Sequence, residues 1–169
     1  NRLFLTSGNA EARSVMAHDT ETGALLWRAV IPDGAKAGEA LPDVMDETGL
    51  AASTPACDEK YVFAVFGTGD LVALSHAGEP VWQIYLGRPK NTYGHASSLV
   101  YCGRMLIVQW DQEERGRILA LDKATGRTLW ETPRAAGMSW STPVVMPVCD
   151  AFLLLVHATQ QTWGMDLAT

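Results

Sequence analysis

Short apolar runs of strand length alternate along this chain with turn-forming clusters, and no long stretch carries the 3.6-residue period of an amphipathic helix. Residues 60 to 66 read Lys-Tyr-Val-Phe-Ala-Val-Phe, 104 to 110 read Arg-Met-Leu-Ile-Val-Gln-Trp, and 151 to 157 read Ala-Phe-Leu-Leu-Leu-Val-His. Their β-branched, aliphatic and aromatic side chains suit a half-buried pleated surface. Each run follows a turn that contains a cysteine: Cys57-Asp58, Cys102-Gly103 and Cys149-Asp150. Before each turn another strand opens on small hydroxyl residues, at Ser53-Thr54-Pro55, Ser97-Ser98 and Ser141-Thr142-Pro143. Many short strands with turns between them predict an all-β chain.

A longer period lies over the strands. Trp27, Trp82 and Trp130 recur at a spacing of about 50 residues, the length of one four-stranded propeller blade. Residues 17 to 27 and 120 to 130 share the skeleton A-x-D-x-x-T-G-x-x-x-W, through Ala17, Asp19, Thr22, Gly23 and Trp27, then Ala120, Asp122, Thr125, Gly126 and Trp130. Residues 73 to 82 give a version one residue shorter, ending on Trp82. Gly164-Met165-Asp166-Leu167-Ala168-Thr169 begins the pattern again. The aspartates can accept hydrogen bonds from turn N–H groups, and the glycines supply the positive φ of a tight hairpin. A tryptophan at one fixed place per blade has the area to seal that blade against the next, with small alanines where sheets approach closely.

The expected architecture is therefore a β-propeller of four-stranded antiparallel blades. The pattern divides into a partial blade over 1–32, a connecting loop over 33–50, complete blades over 51–87 and 96–134, and a partial blade over 139–169. Repeat architectures bury their faces only by stacking on neighbours. The chain is thus expected to be an incomplete arc of about three and a half blades from a seven- or eight-bladed ring, and a fragment of a longer propeller.

This skeleton resembles the tryptophan-docking motif of the pyrroloquinoline quinone (PQQ)-like repeat propellers, over essentially the whole chain. The resemblance implies one of three roles. One branch comprises quinoprotein alcohol and glucose dehydrogenases with eight blades, PQQ and Ca²⁺. Another is the propeller lipoprotein of the outer-membrane barrel-assembly machinery, which scaffolds without catalysis. A third comprises secreted bacterial proteins, which Tyr93-Gly94-His95-Ala96-Ser97-Ser98 and Trp140-Ser141-Thr142-Pro143 resemble most. The dehydrogenase branch implies adjacent half-cystines, a stacking tryptophan and a Ca²⁺ site of Glu, Asn and Asp. No two cysteines are adjacent here. The docking motif itself holds blades together and binds no quinone.

Composition narrows the picture little further. Hydrophobic residues make up 47% and charged residues 19%, a globular balance. The net charge of −6 and scattered cations argue against nucleic acid as partner. No apolar run approaches the roughly 18 residues that span a bilayer. Three cysteines exclude a fully paired disulfide set within the chain.

Two groups stand out as candidate chemistry. His95 with Asn91 and Tyr93, and Trp140 one blade on, precede first strands, where propeller loops approach the channel mouth; they are the candidate ligand-binding residues. Asp43, Asp46 and Glu47 in the long loop are candidate Ca²⁺ ligands by residue type, although their spacing matches no EF-hand. The paired hydroxyls recur in every blade, which favours backbone satisfaction over nucleophilic chemistry. The expected function is a non-catalytic protein- or ligand-binding scaffold in a bacterial periplasm, envelope or secreted protein, with no cofactor. Its partners would be the remaining blades and a further protein. The alternatives are a segment of a PQQ- and Ca²⁺-dependent dehydrogenase and a carbohydrate- or peptide-binding propeller.

Overall fold

The structure is a computed structural model that describes residues 1–35, 39–159 and 161–167. Residues 36–38 of the long loop, and Ala168 and Thr169 of the last motif copy, lie outside the described residues. Among the described residues there are fourteen strands and no helix. The chain divides into two compact units, Asn1–Ala96 and Ser97–Thr169.

The first unit holds two sheets. One is the three-stranded meander β1 (Arg2–Gly8), β2 (Arg13–Asp19) and β3 (Leu25–Ile31). The other is the four-stranded meander β4 (Ala56–Cys57), β5 (Tyr61–Val65), β6 (Asp70–Ser75) and β7 (Pro80–Tyr85). The second unit repeats this with β8 (Val100–Cys102), β9 (Met105–Trp110), β10 (Gly116–Asp122) and β11 (Thr128–Arg134) in one sheet. Its other sheet is β12 (Val144–Val148), β13 (Ala151–Ala158) and β14 (Gln161–Asp166). Every neighbouring pair is antiparallel and follows chain order, so each sheet has the form of a propeller blade.

The repeated motif has one local geometry. Ala17 pairs with Trp27, Ala73 with Trp82 and Ala120 with Trp130, and the register shifts immediately after each alanine. Each alanine is fully buried. A small residue opposite each tryptophan leaves room for the indole, and the β-bulge beside it sharpens the local twist. In the turn, Asp19 Oδ1 accepts the N–H groups of Glu21 and Thr22 at 3.0 and 2.8 Å and the Thr22 hydroxyl at 2.9 Å. Asp122 Oδ1 accepts the same set from Ala124 and Thr125. Gly23 and Gly126 then turn the chain at φ +72° and +71°.

Trp27 shows how a blade is fastened. Its Nε1 donates to the carbonyl of His76, in the turn of the next sheet, at 3.0 Å. Its ring lies on Gly78, where an added Cβ would stand 2.8 Å from Cδ2. The shorter motif copy thus carries its glycine where the preceding blade's indole rests. Around this contact Val15, Ile31, Val62, Ala64, Phe66, Val72 and Leu74 form the buried core between the two sheets. Ile107, Ile118, Ala120, Leu154, Val156 and Leu167 do the same in the second unit.

The hydroxyl pair of the last sheet bonds to backbone, whereas the buried Ser53 and Ser97 hydroxyls make no hydrogen bond among the described residues. The Ser98 N–H donates to Thr142 Oγ1 at 3.0 Å, and Ser141 Oγ donates to the His157 carbonyl. The cysteines are free. Cys57 and Cys102 end their strands, whereas Cys149 sits one position later, in the turn itself, at φ +52°. It occupies the place that Gly103 takes in the preceding blade at φ +55°. Two apolar surfaces stay open: Leu3, Leu5, Leu26 and Val30 in the first sheet, and Val144, Met146, Val148 and Phe152 in the last.

Candidate functional site

The motif turns occupy one end of each sheet. The hairpins between second and third strands, and the connections that leave fourth strands, gather at the other end. In the first unit that end is built around Asp70, which is fully buried at the start of β6. Asp70 Oδ1 accepts the Gly34 N–H at 2.8 Å and Gln83 Nε2 at 3.2 Å. Its Oδ2 accepts the Thr68 hydroxyl at 2.6 Å and faces Arg13 Nη2 at 3.7 Å. Arg13 also reaches Asp33, at 3.7 Å, and Asp33 pairs with Arg88 at 3.3 Å. Arg88 closes the circuit by donating to the Thr68 carbonyl at 2.7 Å. Two arginines and two aspartates thus neutralise one another, and the buried Asp70 carboxylate requires such partners. The backbone N–H of Ala35 first, then Arg88 and Arg13, hold the Asp33 carboxyl below its ordinary range against the opposing effect of burial.

This group anchors the long loop. Gly34 lies so close to Asp70 that an added Cβ would stand 2.6 Å from Oδ1. Farther along, the Tyr85 hydroxyl donates to Glu39 at 2.7 Å; burial, and then this bond, push the phenol well above its usual range. The loop's far end is fixed by the Gly67 N–H donating to the Leu50 carbonyl at 2.8 Å. Between these anchors Asp43, Val44, Met45, Asp46 and Glu47, with Thr92, line an open hollow of about 390 Å³. Val44 rests against Gly94, where an added Cβ would come within 2.8 Å of Cγ1. Leu41, Met45 and Tyr93 expose apolar surface on the same two segments.

The second unit carries a related cluster. Gln109 Nε2 donates to Asp111 Oδ2 at 2.8 Å and to the His157 carbonyl at 2.8 Å. Asp111 Oδ1 faces Arg134 Nε at 3.3 Å, with both side chains essentially inaccessible. The Arg134 guanidinium lies over the Trp163 ring, 5.0 Å from its centroid. Burial pushes the Asp111 carboxyl up, against the Gln109 hydrogen bond and the Arg134 charge. The Ser139 hydroxyl also donates to the His157 carbonyl, at 3.1 Å. This cluster fastens the segment before Trp140 to the ends of β9 and β13.

The sequence candidates fall into distinct places. Asn91 is buried and forms a turn: its Oδ1 accepts the Tyr93 N–H at 3.2 Å and its carbonyl accepts the Gly94 N–H at 2.8 Å. His95 is buried, while Tyr93 is 46% and Trp140 37% exposed. His95 belongs to the first unit and Trp140 to the second. Asp43, Asp46 and Glu47 share the hollow, but among the described residues no three His, Cys, Asp or Glu side chains gather as metal ligands. The three cysteines are free, and Cys102 and Cys149 lie at the opposite strand ends from the Asp111 cluster. No two cysteines of this chain are adjacent in sequence. Sequence reasoning missed Asp70, Arg13 and Arg88, and also Gln109, Asp111 and Arg134. An aspartate inside Gly67-Thr68-Gly69-Asp70 reads as an ordinary hairpin residue.

Comparison with solved structures places the fold. BamB from Moraxella catarrhalis aligns with a TM-score of 0.63 at 20% identity, over 99% of this chain and 43% of that one. A quinohemoprotein alcohol dehydrogenase from Pseudomonas putida HK5 aligns at 0.61 and 14% identity, over 89% of this chain and 27% of that one. A europium-containing methanol dehydrogenase aligns at 0.57 and 17% identity, over 78% and 23%. The chain spans less than half the length of each of these structures, and its four sheets are blades of a partial β-propeller. No curated protein sequence matches it. The family model described as outer membrane protein assembly factor BamB matches residues 2–165, and the chain belongs to that PQQ-like propeller family.

Proposed function

We propose that this chain is part of a non-catalytic propeller that docks a protein partner through the loop end of its first unit, in a bacterial envelope or secreted setting. One observation carries the reading. A self-neutralising charge group, buried at Asp70 and Arg13 and open to solvent at Asp33, fixes the base of a long loop, and that loop presents an open hollow. A buried ion pair is weak evidence for net stability, and here the group holds the geometry of the loop base. The carboxylates of Asp43, Asp46 and Glu47, beside exposed Leu41, Met45 and Tyr93, favour a partner segment with basic and apolar side chains. The family's assembly-factor description supports a scaffolding role. PQQ and Ca²⁺ have no part in this reading.

The test places a photo-activated cross-linking residue at Met45 in cells that make the protein. One discrete protein adduct is expected. It should disappear when Asp43, Asp46 and Glu47 are all replaced by lysine, with the far-UV spectrum unchanged. No adduct, or one indifferent to the charge reversal, refutes the docking reading.

A further inference from the structure

Asp70 sits where hydrophobic packing would be the simpler solution. Its neighbours on β6, Leu71, Val72, Ala73 and Leu74, are all buried and apolar. Taking a carboxylate out of water is costly unless every lone pair is met. Here the partners come from four separate segments: Gly34 at the base of the long loop, Thr68 in the hairpin, Gln83 on β7 and Arg13 on β2. Gln83 Nε2 reaches past it to the Pro32 carbonyl at 2.9 Å, so both sides of the loop base are held. An apolar side chain would fill this space, but it would hold nothing at Gly34.

We propose that Asp70 is the positioning residue of the long loop: its carboxylate clamps Gly34 and so sets where the segment 39–50 stands over the connection 86–95. The inference rests on the docking reading for its purpose, but it stands on its own for the clamp. Gly67, in the same hairpin, receives the far end of the loop through the Leu50 carbonyl, so one hairpin fixes both ends. Gly69 tightens it further. At φ +94° its carbonyl accepts the Leu86 N–H at 2.9 Å, which ties the hairpin to the start of the connection that carries Gly94.

The experiment is amide hydrogen exchange on the protein carrying Asp70→Ala and, separately, Gly34→Ala. The first removes the acceptor. The second pushes a methyl group against Oδ1 from the loop side and keeps the test alive should Asp70→Ala fail to fold. The hydrogen-bonded amides of Gly34, Thr48 and Gly49 are expected to exchange about tenfold faster or more in both variants, with β5 and β6 unchanged, as local opening requires. Tyr85→Phe, which removes only the Glu39 contact, should change them less. Unchanged exchange in the segment overturns the clamp, and so does equal acceleration across every strand of the unit. Local loosening with undiminished cross-linking at Met45 leaves the clamp standing and sinks the docking reading instead.

Discussion

Truncating Trp27 to alanine is expected to destabilise the protein by about 4 kcal/mol. The magnitude follows from the contacts. Trp27 is half-buried against the core of the first unit, so the loss of its ring falls near the lower end of the range for large aromatic truncations, about 3 kcal/mol. The indole N–H bond to the His76 carbonyl adds about 1 kcal/mol. Trp27→Phe separates the two contributions. It keeps a ring over Gly78 and beside Phe4, whose centroid lies 5.9 Å away, and loses the hydrogen bond. Its cost should be about 1–2 kcal/mol. Urea denaturation followed by far-UV circular dichroism reads both. A Trp27→Ala cost below about 1 kcal/mol would show that the indole does not fasten the blades. Equal costs for the two variants would contradict the division between packing and hydrogen bond.

Other outcomes follow from the same geometry. Gly78→Ala should cost about 2 kcal/mol in the same assay, because the residue stands at φ +87° and its new methyl meets the Trp27 ring. The Asp19 carboxyl is held below its ordinary value of 3.8 by the Thr22 N–H, the Thr22 hydroxyl and the Glu21 N–H. Its contribution is therefore present above that value and fades as pH falls through the lower folded one; NMR titration should show the depression, and Thr22→Val should shrink it. Asp111 has the opposite sign. Burial raises its folded pKa above 3.8, so stability falls as pH rises from 3.8 through the folded value. Denaturation midpoints measured from about pH 4 to about pH 7 should show that slope, and Asp111→Asn should flatten it.

The repeat made the fold legible from sequence because it states the same local problem several times. Ala17, Asp19, Thr22, Gly23 and Trp27 each do a job set by their neighbours within a dozen residues, and such jobs leave a pattern. The bulge after Ala17, Ala73 and Ala120 was not legible, because the missing register position has no residue type of its own. The offset of Cys149 was hidden for a similar reason: a cysteine in the left-handed region looks like any cysteine. The site was harder still. Arg13, Asp33, Asp70 and Arg88 meet only after two sheets have packed, and each alone reads as an ordinary surface or turn residue. The acidic loop was visible as charge, but its anchoring at Gly34 and Leu50 was not.

Under the proposed scaffolding role this propeller oxidises no substrate. Adding PQQ and Ca²⁺ to the protein and desalting it tests that directly. No quinone absorbance should survive desalting, and neither alcohols nor glucose should reduce an acceptor dye. Quinone retained in stoichiometric amount, with substrate-dependent dye reduction, would contradict the account.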